Sequence, residues 1–389
     1  MIEEEIAPII KVKFSAVREA TEAFTRKLKA EDYIPQPVPF ASPAKWHLGH
    51  TSWFFEEFVL KKYKNSYLEY DPQFSFLFNS YYKSVGTMVF RANRGNITRP
   101  GVEEVYNYRK HVTNEILELL DSENLSSDLL TVLELGMNHE QQHQELLKTD
   151  VKYILGTNPT FPIYDENNLV NDSQKKTDWI SIKEGVYGVG HGNDSFCYDN
   201  ELGHHKTYIQ NFEIRSSLVS NQEFLEFIED DGYNRFELWL DDGWSWIKEE
   251  NIEKPLYWHQ INNEWYSYTF AGLEKLNKDS VLCHISFYEA DAFARWKGMR
   301  LPTEFEWEVA SEKFEWGKRW EWCNSAYLPY PGFSIAPGAI GEYNGKFMIN
   351  QMVLRGASAA TSEGHSRMTY RNFFPPRFQW QFSGIRLAR

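Results

Sequence analysis

Two histidines four residues apart are the side chains in this sequence whose spacing most directly suggests shared chemistry. His139 and His143 lie in residues 135–147, a run with helical periodicity, so both project from one face of a helix. Neutral imidazoles held in this way can bind one metal ion from the same side. The alternative is a pair of half-exposed histidines bonded to neighbours such as Glu145 or Gln142. A third histidine on another apolar helix favours the metal site.

The same letters form the pattern His-Glu-x-x-His of zinc metalloproteases, in which Glu140 would be the general base. One class of these proteases needs a further Gly and His, where this sequence has Leu146 and Thr149. Another class needs a Glu on a following helix, but Glu145 is too close, and the chain leaves the helix near Gly156. The motif therefore gives a protease little support.

An earlier apolar helix supplies the third candidate ligand. It is predicted at residues 44–60, after Ser42-Pro43 as N-cap and first helical residue. His47 and His50 lie on it, three residues apart. We favour His50 because it shares a stripe with aromatic residues, and we keep His47 in reserve. The aromatic residues of that stripe are Trp46, Trp53 and Phe54.

A four-helix bundle would position these histidines, since bundle cores commonly hold metals. The predicted helices cover residues 9–29, 44–60, 101–120 and 128–155, with a long connector after the second. Thr21 is the one polar residue in the apolar stripe of the first helix.

Three arginines stand close together at the end of the connector: Arg91, Arg94 and Arg99. Such residues are usually surface charge. Beside a metal site they would also suit a carboxylate substrate, because guanidinium binds carboxylate bidentately.

Composition limits the remaining classes. The net charge of −14, from 41 basic and 55 acidic residues, argues against a nucleic-acid-binding surface. No apolar run reaches membrane-spanning length and no signal peptide is recognisable, so we expect a cytoplasmic protein that does not bind membranes. The three cysteines are too few for a disulfide framework.

The pattern changes after the bundle. We predict an α+β fold class in three parts: a four-helix bundle at 1–160, a polar linker at 161–177, and an irregular α+β domain at 178–389. Strand and turn patterns begin at Trp179, and short helices are predicted at residues 221–228 and 286–296.

The second domain resembles the formylglycine-generating, or sulfatase-modifying, fold, which is related to C-type lectins. The segments that carry this resemblance include Val219-Ser-Asn-Gln-Glu-Phe224, Leu301-Pro-Thr-Glu304, Leu354-Arg-Gly-Ala-Ser358 and Gly384-Ile-Arg-Leu387. Formylglycine enzymes hold reactive cysteines near their tail, where this chain has none in residues 357–361. Copper-thiolate chemistry is therefore not supported.

The first domain resembles the DinB-like bundle through Trp46-His-Leu-Gly-His50-Thr and His139-Glu-Gln-Gln-His143. The two domains in this order resemble the sulfoxide synthases of ergothioneine biosynthesis. The resemblance implies a non-haem iron(II) held by three histidines, which correspond to His50, His139 and His143. It also implies the use of O2 to join a cysteine-type thiol to the imidazole C2 of hercynine, giving a sulfoxide.

Further site residues follow from the same resemblance. Tyr81 and Tyr82, within Asn79-Ser-Tyr-Tyr82, are candidates for a phenol that supplies a proton or hydrogen atom. Arg91 and Arg94 match an Arg-x-x-Arg pair that binds the carboxylate of the thiol substrate.

Three more residues concern the identity of the two substrates. Gln142 and Asn372 match positions near the hercynine betaine, a cation held by electrostatics and aromatic walls. Branches that use γ-glutamylcysteine carry an acid soon after the Arg-Asn pair, where this chain has Phe374. The resemblance therefore implies free cysteine as the thiol.

The expected partners are hercynine, cysteine and O2; the sequence leaves open whether the chain forms a homo-oligomer. An ovothiol-type enzyme that uses histidine, or a selenosugar-using relative, is the alternative within the family. A zinc metallohydrolase and a lectin-like binding module are the more distant alternatives.

Overall fold

A computed structural model gives the fold for residues 2–82, 85–121, 125–166, 172, 177–335 and 345–389. The chain divides into two compact units, one with the described residues up to Thr160 and the other with those from Phe161 onward. Most of the linker predicted at 161–177 lies outside the described residues. The first unit is helical and the second contains the sheets, which confirms the predicted α+β class.

The helices of the first unit are α1 (Ile2–Thr25), α2 (Ala44–Phe55), α3 (Lys61–Tyr63), α4 (Phe74–Leu77), α5 (Val102–Leu119) and α6 (Ser127–Gly156). Both α1 and α2 pack against α5 and α6, which gives the predicted bundle of four long helices. The second predicted helix is interrupted, because a π-helical turn, Glu56–Leu60, follows α2.

The predicted cap of α2 is wrong. Pro43 occupies the N-cap position, and the hydroxyl of Ser42 accepts a hydrogen bond from Arg94 Nη1 at 2.9 Å. A buried guanidinium is a stronger donor than a backbone amide, so it takes the oxygen that would have capped the helix.

A buried ion cluster joins three of the long helices. Glu140 on α6 accepts hydrogen bonds from Arg18 Nη1 of α1 at 2.9 Å, from Thr21 Oγ1 of α1 at 2.6 Å, and from Arg109 Nη2 of α5. Burial alone would raise the pKa of Glu140, but the charges of Arg109 and Arg18 and the Thr21 hydrogen bond lower it from 4.5 to about 2. Thr21, the one polar residue in the apolar stripe of the first helix, therefore serves as a hydrogen-bond donor to this carboxylate.

The two arginines of the cluster also bind α2. Arg18 Nη2 donates to Ser52 Oγ at 3.0 Å, and Arg109 Nη1 donates to Thr51 Oγ1 at 2.9 Å. One carboxylate and two guanidiniums thus connect all four long helices.

The second unit combines short helices with small sheets. Its helices are α7 (Asn221–Glu229), α8 (Asp241–Glu249), α9 (Phe287–Trp296) and α10 (Glu304–Ala310). Its strands are β1 (Trp179–Ile182), β2 (Gly185–Val189), β3 (His205–Ile209), β4 (Phe212–Arg215), β5 (Trp258–Ile261), β6 (Glu264–Thr269), β7 (Gly272–Lys275), β8 (Trp320–Ala326), β9 (Met352–Gly356), β10 (Asn372–Phe374) and β11 (Ser383–Gly384).

The sheets are mostly antiparallel. The largest has the strand order β10-β9-β8-β11, in which β11 runs parallel to β8; β5-β6-β7 form a meander, and β1 pairs with β4 and β2 with β3. The helices predicted at 221–228 and 286–296 are confirmed as α7 and α9. Each begins after a serine capping box, at Ser220 and Ser286.

Arg371 fixes the start of β10. Its guanidinium donates to Glu304 through Nε at 2.8 Å and Nη2 at 3.0 Å, and it lies 3.8 Å from the ring centre of Tyr330. It is buried and donates further to two backbone carbonyls. The strand that begins with Asn372 therefore starts from a rigid ion pair.

Among the described residues, no helix is long and apolar enough to cross a membrane. The cytoplasmic location stays a prediction.

Glu140→Gln should destabilise the first unit by about 3–5 kcal/mol, because it leaves the buried guanidinium of Arg18 without its carboxylate partner and that of Arg109 with Glu22 alone. Urea unfolding at pH 7 measures this. Glu134→Gln on the same helix is the matched control, since Glu134 is partly exposed and 3.8 Å from Lys13; it should change stability by less than about 0.5 kcal/mol. A loss below about 1 kcal/mol for Glu140→Gln would show that the cluster does not hold the bundle together.

The same cluster predicts a pH dependence. A carboxylate whose pKa is lower in the folded protein stabilises it above the ordinary pKa of 4.5 and loses that contribution as the pH falls toward about 2. The wild type should therefore lose stability over this range more steeply than Glu140→Gln does, as followed by unfolding at several pH values.

Candidate metal centre

Three histidines from two helices meet inside the first unit. His50 on α2 and His139 and His143 on α6 each offer one ring nitrogen, and these nitrogens lie within 4.8 Å of one another. All three side chains are buried, at 5% exposure or less. The spacing of His139 and His143 on one helix face accounts for two of the three positions.

The proton positions of His50 fit a metal ligand. His50 Nδ1 lies 2.6 Å from the carbonyl oxygen of Phe78, so this nitrogen carries the hydrogen. A neutral imidazole then has its lone pair on Nε2, which is buried and has no hydrogen-bond partner among the described residues. Nε2 of His143 is in the same condition. A bound metal ion would satisfy both atoms, so the residues present fit such a group.

Burial keeps these rings neutral. It lowers the pKa of His139 from 6.5 to about 3 and, together with the neighbouring histidines, lowers the pKa values of His50 and His143 well below 6.5. Neutral imidazole is the form that binds metals, so the three rings are ready ligands at neutral pH.

Aromatic rings enclose the histidines. The ring of His50 lies between Trp46 and Trp53, with centroid distances of 4.5 and 5.3 Å and interplanar angles of 13° and 16°. His139 stacks on Phe54 at 4.5 Å. The aromatic stripe predicted on the second helix therefore forms the wall of the site.

His47 is placed differently from the other three histidines. Its Nε2 lies 3.0 Å from Asp150 Oδ2, and its Nδ1 lies 3.0 Å from His143 Nδ1. Both of its nitrogens are engaged, so on α2 it is His50 that offers a nitrogen to the group.

Glu140 cannot serve as a general base here. Its two oxygens are occupied by Arg18, Thr21 and Arg109 in the ion cluster. The geometry therefore lacks the catalytic carboxylate that the protease pattern requires.

Arg94 brings a buried positive charge to the same wall. Its guanidinium carbon lies 3.3 Å from the ring centre of Trp46, and its Nη atoms donate to Ser42 Oγ and Ser80 Oγ, each at 2.9 Å. It is 5% exposed, and no carboxylate in the described part of the chain lies within ion-pair distance of it, although the charge of Asp150 acts on it from further away. Burial, with the nearby charge of Arg91, lowers the pKa of Arg94 to about 9.

Arg91 differs from Arg94 in its exposure. It is exposed, and its Nη2 donates to the backbone carbonyl of Phe40. Of the two predicted carboxylate-binding arginines, only Arg94 is buried.

The two candidate phenols lie in different surroundings. Tyr82 is 1% exposed and packs at 5.4 Å from Trp53 and 5.2 Å from Phe58. Tyr81 is half-buried, stacks on Tyr82 at 5.5 Å, and interacts electrostatically with Arg94. Tyr82 therefore adjoins Trp53, which stacks on His50, whereas Tyr81 lies one ring further from the histidines.

The remaining predicted residues are divided between the units. Gln142 is half-buried on α6, between the two histidines of that helix. Asn372 and Phe374 are half-buried on β10 of the second unit, where the Phe374 ring packs edge-on against Trp380 at 5.0 Å. Asn372 Oδ1 accepts a hydrogen bond from the Phe373 amide at 2.9 Å.

Asp150 was missed in the sequence. It stands seven residues after His143, two helical turns further along the same face, and this spacing was the one available signal. Ser42 and Ser80, which hold Arg94, gave no signal, because the loop conformation that brings them together depends on contacts distant in sequence.

Comparisons with known proteins agree with this architecture. Residues 13–147 match the DinB superfamily, and residues 166–319 match the sulfatase-modifying factor enzyme 1-like domain. The formylglycine-generating enzyme of Bos taurus is 26% identical to this chain over 37% of the chain and 43% of that enzyme.

Two hercynine oxygenases are also similar to this chain, one over nearly its whole length and one at higher identity over about half of it. The hercynine oxygenase of Mycolicibacterium thermoresistibile is 24% identical over 95% of this chain and 94% of that enzyme. The hercynine oxygenase of Mycolicibacterium smegmatis is 30% identical over 52% of this chain, and that alignment spans 58% of the relative. This chain is thus a homologue of the hercynine oxygenases, and in it a segment that matches the DinB superfamily precedes one that matches the sulfatase-modifying factor domain.

Proposed function

We propose that this protein is an iron(II)- and O2-dependent sulfoxide synthase that joins the thiol of cysteine to the imidazole C2 of hercynine, a step of ergothioneine biosynthesis. The observation that carries the proposal is the buried group of His50, His139 and His143 beside Arg94, a buried cation that lacks a carboxylate partner among the described residues. The likeness to the hercynine oxygenases supports the choice of substrate.

The overall reaction balances with one O2. The C2–H bond of hercynine and the S–H bond of cysteine break, and a C–S bond and an S–O bond form. One oxygen atom ends in the sulfoxide and the other leaves as water with the two hydrogens. Iron(II) held by His50, His139 and His143 would supply the reduction of O2, because three neutral imidazoles leave positions open for substrates.

Arg94 would bind the carboxylate of cysteine. A buried guanidinium that has no directly bonded carboxylate is unfavourable, and a substrate carboxylate that forms a bidentate pair would relieve that cost. Trp46 contacts both Arg94 and His50, so the cation lies close to the three histidines. A small molecule with a thiol and a carboxylate a few bonds apart would be held by the cation and by the metal centre together.

The other predicted residues of the first unit complete the proposal. The Tyr81–Tyr82 pair would hold the proton or hydrogen atom, on a phenol oxygen, that the reacting oxygen receives. Gln142, on α6 between His139 and His143, would face the hercynine betaine. The roles expected of Asn372 and Phe374 in the second unit stay predictions.

Reconstitution tests the reaction. Wild-type protein loaded anaerobically with Fe(II), then given hercynine, cysteine and 18O2, should form hercynylcysteine sulfoxide that carries one 18O atom, detected by mass spectrometry. His50→Ala, His139→Ala and His143→Ala should each abolish metal binding and product, because each removes one of three ligands. Product formation by the His50 variant, with loss in His47→Ala, would show that the wrong histidine of α2 was chosen.

Arg94→Ala should raise the KM for cysteine about 10- to 100-fold, since a charge-assisted pair in a buried pocket is worth about 1.5–3 kcal/mol. Arg91→Ala should raise it less, because solvent screens an exposed charge. The KM for hercynine should change little. Steady-state kinetics with each substrate varied in turn measure both KM values in each variant.

The control is Arg99→Ala, an exposed arginine of the same loop bonded to the carbonyl of Thr98. It should leave the KM for cysteine unchanged. If Arg94→Ala behaves like this control, Arg94 does not bind the thiol substrate. If the wild type prefers γ-glutamylcysteine, the role given to Phe374 is wrong.

A further inference from the structure

A chain of hydrogen bonds leads from the metal centre to a buried carboxylate. His143 Nδ1 lies 3.0 Å from His47 Nδ1, and His47 Nε2 lies 3.0 Å from Asp150 Oδ2. His47 and Asp150 are 2% and 0% exposed. His143 and Asp150 are two turns apart on α6, and His47 reaches between them from α2. None of the site roles described above uses His47 or Asp150.

One arrangement of the hydrogens along these hydrogen bonds leaves His143 able to bind a metal ion. Asp150 Oδ2 also accepts from the Ser42 amide at 2.7 Å, so the carboxylate is an acceptor and His47 Nε2 carries a hydrogen. A neutral His47 then has its lone pair on Nδ1 and accepts from Nδ1–H of His143. The lone pair of His143 is thereby fixed on Nε2, the atom without a hydrogen-bond partner among the described residues.

The opposite arrangement fails at both ends. If His47 Nδ1 donated to His143, the Nε2 hydrogen of His143 would point at the other two histidines and prevent metal binding. The Nε2 lone pair of His47 would also face the carboxylate of Asp150. The contacts therefore select the first arrangement.

We propose that His47 and Asp150 are positioning residues for His143. Together they fix its tautomer and ring orientation, and the carboxylate at the end of the chain strengthens His143 Nε2 as a donor. Hydrogen bonds from a metal-binding imidazole to a carboxylate act in this way, and here a second histidine transmits the effect. This inference rests on the metal centre of the proposed function.

The proposal also distinguishes the ligands. The Nδ1 hydrogen of His50 is held by the neutral carbonyl of Phe78, whereas that of His143 is held by a chain that ends in a carboxylate. The donor strength of His143 therefore depends on a side-chain carboxylate, and that of His50 on a neutral backbone carbonyl.

Anaerobic titration of the full chain with Co(II), followed by its visible spectrum, tests this role. His47→Phe keeps a planar ring but removes both hydrogen bonds, and it should weaken Co(II) binding about 10- to 100-fold. His47→Gln should restore most of the affinity, because its amide oxygen can accept from His143 while its amide nitrogen donates to Asp150. Asp150→Asn, which keeps an acceptor but loses the charge, should give an intermediate affinity.

His111→Phe is the matched control. His111 is half-buried on α5 of the same unit and bonded to Tyr67 at 3.3 Å, so the same substitution there should leave Co(II) affinity unchanged. Thermal unfolding of each metal-free variant checks its fold, and Asp150→Asn carries the test if His47→Phe does not fold. In the Co(II) protein, the shifted Nδ1–H proton signal of His143 should exchange faster with solvent in His47→Phe than in wild type.

The outcomes separate this role from the metal centre itself. Co(II) affinity of His47→Phe within about twofold of wild type would overturn the proposal, as a change smaller than the effect expected for such partners. Equal losses in His47→Phe and His47→Gln would also overturn it, because the hydrogen bonds would then not be the cause. If the wild type binds neither Fe(II) nor Co(II), the metal centre of the proposed function fails instead.

Discussion

The buried carboxylate of Glu140 is the interaction on which the first unit depends. Two guanidiniums and a hydroxyl hold it in a medium of low dielectric, where an unpaired charge would be costly. Because the guanidiniums also bind hydroxyls of α2, this one contact sets how four helices meet. It also fixes the rotation of α6 about its axis. Successive helical residues are about 100° apart, so anchoring Glu140 on one side directs His139 and His143 to another.

Burial disfavours the charged form of both the histidines and Arg94, but the consequences for ligand binding differ. For the histidines it disfavours the charged form and leaves neutral rings with lone pairs, which is what a metal requires. For Arg94 it makes the charged form unfavourable without removing the charge, and the residue gains from an anionic ligand. Trp46 contacts both Arg94 and His50. The same aromatic surroundings thus favour a metal at the three histidines and a carboxylate at Arg94.

The second unit uses buried arginines for support. Arg371 and Arg386 are each paired with a glutamate, Glu304 and Glu321. In these pairs both charges are satisfied, so the arginines hold strands in place and have no need of a ligand. The contrast with Arg94 shows that burial by itself does not identify a binding arginine. The informative feature is a buried guanidinium whose described partners are hydroxyls and an aromatic ring.

The sequence by itself determined the α+β architecture, the kinship with the hercynine oxygenases, and the shared face of His139 and His143, because these follow from motif order and helical periodicity. Its error at Ser42 arose because capping preferences are local, and a distant arginine competed for the hydroxyl. Only the tertiary structure decided that His50 faces the other two histidines while His47 contacts Asp150. Side chains three residues apart point in directions about 60° apart on a helix, so both were compatible with one stripe. Which of them meets α6 depends on how the two helices are rotated against each other, and packing among residues far apart in sequence sets that rotation.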